Sequence, residues 1–117
     1  MTAEEILTKA AIILQEEGWT KGNLRSKSGS RCVLGAIYKV VSIENEVGER
    51  YVSQLRRQGL IKEKCKLALS ACRLLLKRIG EYEPRMSINK IEERITLWND
   101  GEYRIGKEVI DVCLGKK

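Results

Sequence analysis

One stretch in the middle of the chain limits the possible folds more than any other. Ile61, Cys65, Ala68, Leu69, Cys72, Leu75, Leu76 and Ile79 recur every three or four positions, which is the spacing of one helix face held for about five turns. Leu67, Ala71 and Leu74 widen that stripe beyond what a helix with one side in water carries. The pattern predicts a long central helix covered by other helices, and so an all-α chain ending this element at Gly80.

The flanking segments read the same way. Thr2 is followed three residues later by Glu5, a capping-box pattern, and Ala3, Ile6, Leu7, Ala10, Ile13 and Leu14 continue at helical spacing until Gly18. Cys32 to Val41 is an almost unbroken apolar run that periodicity alone does not assign. Gly35-Ala36 inside it favours a helix packed closely on its neighbours, since glycine weakens a strand. Asn45 or Ser42 is expected to cap a short helix with Val47, Tyr51, Val52 and Leu55 on its apolar face, ending at Gly59. After Gly80 and the single proline, Pro84, Ser87 caps a helix carrying Ile88, Ile91, Ile95 and Trp98. Asn99-Asp100-Gly101 signals a turn, and a last helix from about Arg104 is expected to bury Ile105, Val109, Val112 and Cys113 before Gly115. The expectation is one helical domain, residues 1–117, of five or six helices with short connections.

Several chemistries are excluded or weakened by composition. The chain has no histidine, which removes triads with an imidazole base and most zinc sites. Its four cysteines, Cys32, Cys65, Cys72 and Cys113, fit no C-x-x-C metal or redox spacing, and no cofactor is expected. Cys65 and Cys72 stand about 10 Å apart along one helix, too far to bridge. No apolar run is long enough to span a membrane and no signal peptide precedes the first helix, so a cytoplasmic protein with reduced thiols is expected.

The net charge of +6 is unevenly distributed. Residues 1–18 are acidic, with Glu4, Glu5, Glu16 and Glu17 against Lys9 alone. Residues 19–41 hold Lys21, Arg25, Lys27, Arg31 and Lys39 and no acid. On the long helix Lys62, Lys66, Arg73 and Lys77 align as a ladder along the polar face. Such blocks suit an anionic partner, and they equally suit a solvated helix face.

Three motifs hold both tryptophans: Gly18-Trp19-Thr20-Lys21-Gly22, Cys32-Val33-Leu34-Gly35-Ala36 and Trp98-Asn99-Asp100. In this order, with an amphipathic first helix before them and a terminal Glu108-Val109-Ile110 helix after, they resemble a family of short uncharacterised bacterial and phage proteins, a domain of unknown function. The resemblance implies no activity. Its members often place a threonine after the arginine that follows Trp-Asn-Asp; here Ile105 follows Arg104, a departure at the position of a helix cap.

The motifs admit two readings. Asn99 and Asp100 can bond backbone N–H groups and favour the start of the helix after them, or, with Trp19, Arg31, Trp98 and Arg104, they can line a polar pocket with an aromatic wall. Cys32 can be a packed thiol, or a reactive one lowered in pKa by a helix start and by Arg25, Lys27 and Arg31. The leading expectation is a non-enzymatic binding protein that engages a protein or an anionic ligand through its basic loop and long helix. The alternatives are a small enzyme or nucleotide-binding protein, and a nonspecific nucleic-acid binder. The last is weakened by the absence of phenylalanine and by aromatics at 5% of residues, which leave few surfaces for base stacking.

Overall fold

The computed structural model describes residues 1–24, 26–41 and 62–116. Among them are five helices: α1 (Ala3–Glu17), α2 (Val33–Val40), α3 (Lys62–Arg78), α4 (Ile88–Asn99) and α5 (Gly106–Cys113). The short helix expected around Val47–Leu55 lies outside the described residues, as does Arg25. The fold is all-α.

Local chemistry sets most of the helix ends. The capping box of α1 is complete: the Glu5 N–H donates to Thr2 Oγ1 at 3.1 Å, and the Thr2 N–H donates back to Glu5 Oε1 at 3.3 Å. At its other end Gly18 adopts φ +93°, a conformation open to glycine at little cost, and its N–H reaches Leu14 O at 3.0 Å. Ser87 caps α4 through the Lys90 N–H at 3.2 Å. Helix α5 has no side-chain cap, because the residue at that position is Ile105.

α1 packs against α2, α3 and α5, and α4 packs against α2 and α3. One hydrophobic cluster takes buried residues from all five helices, among them Ile6 and Leu7 of α1, Leu34 and Ile37 of α2, Leu75 and Leu76 of α3, Ile91 and Ile95 of α4, and Val109 of α5. Fully buried alanines at 10, 11, 36, 68 and 71 let the helix axes approach closely. The stripe on α3 faces this cluster, with Cys65, Ala68, Leu69, Ala71, Cys72, Leu75 and Leu76 buried; Leu67 and Leu74, which widen it, and Ile79 are only partly buried, and Ile61 lies outside the described residues.

Ile105 does not follow the expectation. It is 54% exposed, since α5 begins one residue later and leaves Ile105 in extended conformation outside the helix. Val112 is only partly buried against the core.

The segment between α1 and α2 is closed at its ends. Trp19 and Arg31 form a parallel bridge, with the Arg31 N–H donating to Gly18 O and the Thr20 N–H to Arg31 O, both at 3.0 Å. The far part of this loop lies on α2. A Cβ on Gly35 would fall 1.9 Å from Leu24 O, so glycine is the one residue that lets the loop and α2 approach this closely.

Candidate functional site

The three motifs converge around Asn99, which is 1% exposed. Its Oδ1 accepts from the Trp19 indole Nε1 at 2.8 Å and from the Val33 N–H at 3.1 Å. Its Nδ2 donates to Thr20 O at 3.1 Å and to Asp100 Oδ1 at 2.9 Å. Asn99 thus ties the end of α4 to the loop after α1 and to the first turn of α2, whose Val33 N–H has no partner within its own helix. The expected role as a cap is realised on a different helix: α5, the helix that follows, starts only at Gly106.

Asp100 and Lys21 complete the junction. Asp100 Oδ1 also accepts the Gly22 N–H at 3.0 Å, and the Lys21 ammonium donates to Gly101 O at 2.7 Å and Glu102 O at 3.4 Å. Lys21 lies 5.7 Å from the centre of the Trp19 ring. The other side of Trp19 meets α5, where a Cβ on Gly106 would stand 3.2 Å from Trp19 Cβ. Trp19 is therefore held by a hydrogen bond at its polar tip and by packing along its body, the usual arrangement for a half-buried indole.

Arg104 stacks on the Trp98 ring at 4.7 Å, donates through Nε to Trp98 O at 2.9 Å and pairs with Glu108 at 2.7 Å. Arg31 is buried and turns its guanidinium to Glu17 at 3.3 Å. Glu17 also accepts from Lys39, and that bond, with Arg31 alongside, holds its carboxyl below the usual value. Trp19, Asn99 and Asp100 thus come together with their polar side-chain atoms bound within the chain, while the guanidinium of Arg31 turns to Glu17 and that of Arg104 to Trp98 O and Glu108. The space left among Gly22, Cys32, Val33, Thr96, Asn99 and Asp100 is about 10 Å³, the room of a single water molecule.

Cys32 is the N-cap of α2, and its sulfur accepts from the Gly35 N–H at 3.4 Å. Burial dominates its titration and pushes the thiol up to about 11, with the Asp100 charge adding to the rise and the Gly35 N–H opposing it. The packed reading of Cys32 therefore describes it. Cys113 is raised to about 12, and Cys72 is raised further still, both by burial. Among the described residues no cluster of cysteine and acidic side chains is suited to hold a metal ion.

The ladder on α3 has different surroundings. Arg73 and Lys77, one helical turn apart, line an open concavity of about 610 Å³ together with Ser70 and Leu74 of α3 and with Thr2, Ala3 and Glu4 at the start of α1. The Lys77 ammonium sits 5.0 Å from the Tyr82 ring centre. Among the described residues Arg73 and Lys77 make no ion pair, although the first-turn carboxylate Glu4 lines the same concavity. Lys66 is exposed farther along the helix, and Lys62 begins it. Lys27 is exposed in the loop. That loop leaves α1 at its C-terminal end, about 20 Å of helix from the concavity at its N-terminal end.

Some functional geometry lay outside the expected residues. The Tyr38 hydroxyl donates to Glu92 inside the core, and the signal for it was an acid within the apolar stripe of α4, between Ile88 and Ile95. Arg78 closes the end of α5 by donating to Val112 O at 3.0 Å and Cys113 O at 2.8 Å. The α1 wall of the concavity carried no signal, since it depends on how α1 crosses α3.

Among the described residues no helix is long and apolar enough to cross a membrane. No curated protein and no solved structure matches the chain. Residues 1–114 match a family of unknown function, DUF6197. With nearly its whole length covered by that match, the chain belongs to the DUF6197 family.

Proposed function

We propose that this protein is a non-enzymatic binding module that engages an anionic partner through the basic face of α3. The observation that carries this reading is the contrast between two sets of polar groups. Around Asn99 the side chains are engaged in joining α2, α4 and the loops, so they are committed to the fold. On α3, Arg73 and Lys77 face a concavity without a paired carboxylate among the described residues. Several other cations are neutralised locally: Arg94 with Glu81 and Glu83, Lys107 with Asp111, Arg104 with Glu108. An unpaired, partly desolvated guanidinium is a strong anchor for a carboxylate or phosphate. A phage-derived accessory factor acting in the cytoplasm fits this reading, on the strength of the motif resemblance.

The test is a fluorescence-anisotropy titration of the protein with labelled polyglutamate and with labelled duplex DNA, repeated on a Lys66→Glu/Arg73→Glu/Lys77→Glu variant. The reading predicts that at least one probe binds, that its affinity falls with added salt, and that the variant loses it. Equal binding by the variant, or no binding of either probe by the native chain, contradicts the reading.

A further inference from the structure

Resting on that reading, the geometry points to a partner that is a protein segment placing a carboxylate beside an aliphatic side chain, seated in the concavity between the start of α1 and the C-terminal half of α3. Three observations converge on this chemistry. Arg73 and Lys77 are spaced i and i+4, so their side chains project from one face of α3 about 6 Å apart at Cβ, close enough to share one carboxylate. Leu74, half-buried between them in sequence, supplies an apolar floor with Ala3 opposite. The concavity is open and shallow, so it suits a segment laid across it and does not enclose a single small anion. The opposite wall carries Glu4, with Glu5 next to it at the exposed start of α1.

The apolar floor decides between classes of partner. A nucleic-acid backbone carries a phosphate at every step and brings no aliphatic side chain to Leu74 and Ala3. A peptide that alternates a carboxylate with an aliphatic residue turns its charge to Arg73 and its apolar side chain to Leu74 and Ala3. Lys77, held over the Tyr82 ring at 5.0 Å, already occupies a restricted position, so less side-chain freedom is lost when the carboxylate arrives. Ser70 contributes little charge recognition, because its hydroxyl donates to Leu67 O at 2.7 Å.

The experiment titrates three labelled probes, a short alternating Glu-Leu peptide, its Gln-Leu counterpart and duplex DNA, against the native chain and the Arg73→Gln, Lys77→Gln and Glu4→Gln variants. Circular dichroism confirms that each variant is folded. The inference predicts that the Glu-Leu peptide binds about tenfold or more tighter than Gln-Leu, in keeping with the strength of charge-assisted bonds. It also predicts that Arg73→Gln and Lys77→Gln each remove most of that preference and that Glu4→Gln, by removing a like charge, strengthens binding of the Glu-Leu peptide; a peptide affinity lowered by Glu4→Gln overturns the inference. If DNA binds through Arg73 and the peptide does not, the peptide inference is overturned while the basic-face reading stands. If no probe binds, both fall. Peptide binding unchanged by Arg73→Gln overturns the inference, as does self-association of the native chain that Arg73→Gln abolishes, which makes a second copy the occupant.

Discussion

The indole N–H of Trp19 donates to the side-chain oxygen of Asn99 at 2.8 Å, joining residues 80 positions apart. The same oxygen accepts the Val33 N–H, so one buried amide connects the end of α4, the loop after α1 and the start of α2. Each singled-out motif contributes to this junction.

The junction should behave as a coupled unit. Replacing Trp19 with Phe keeps most of the apolar body and removes the N–H, at an expected loss of about 1–2 kcal/mol. Asn99→Ala leaves the Val33 N–H and the indole N–H without their acceptor and should cost about 3 kcal/mol. A double-mutant cycle by urea unfolding should give non-additive losses, because the two residues share one bond. Additive losses would show that they act independently.

Helix α5 lacks a side-chain cap, and the residue in that place is already extended, with φ −122° and ψ 155°. Ile105→Thr supplies an acceptor for the first turn and removes an exposed apolar side chain. We expect stabilisation of about 1 kcal/mol, the usual worth of such a cap, read as a higher midpoint in urea. An unchanged or lower midpoint would mean that Ile105 makes a contact of greater worth than the cap.

Gly35→Ala introduces a Cβ into the space of Leu24 O, 1.9 Å away. Backbone is the obstacle, so no side-chain rotation relieves it, and a cost of about 2 kcal/mol or more follows. Thermal unfolding should detect it readily. Native-like stability in this variant would place the loop farther from α2 than described.

The buried thiols make stability depend on alkaline pH. The Cys32 pKa rises with burial from 9.0 to about 11, so between those values the unfolded chain releases a proton that the folded chain retains. Stability from this group is intact below about pH 9 and declines as pH rises toward 11; Cys113, raised to about 12, acts in the same direction. The native protein should also react slowly with an aromatic disulfide reagent at pH 8, its thiols reacting promptly only after unfolding. Rapid reaction of one thiol in the folded protein would mark an accessible, activated cysteine.

What the sequence made legible was local. The Thr2–Glu5 box, the Ser87 cap and the stripe of α3 each depend on residues three or four positions apart, and each formed where the spacing placed it. Asn99 was legible as a residue that bonds backbone, because Asx side chains at a turn do so. Its partners at Val33 and Trp19 were not, since nothing near Asn99 specifies how α4 docks on α2. The same holds for the concavity: Arg73 and Lys77 were visible as a ladder, while its other wall comes from Thr2, Ala3 and Glu4, brought there by the crossing of α1 and α3. Ile105 misled because its apolar character matches the spacing of α5, yet the helix starts one residue too late to bury it.

The division between a junction that holds the fold and a face left for a partner is tested most directly by one comparison of melting temperatures. Asn99→Ala should lower Tm by about 10 °C, the equivalent of about 3 kcal/mol in a domain of this size. The Arg73→Gln/Lys77→Gln variant should stay within about 3 °C of the native chain, since surface cations without ion pairs contribute little. An Asn99 variant that melts like the native protein, or a double variant that melts as low as Asn99→Ala, would contradict the account.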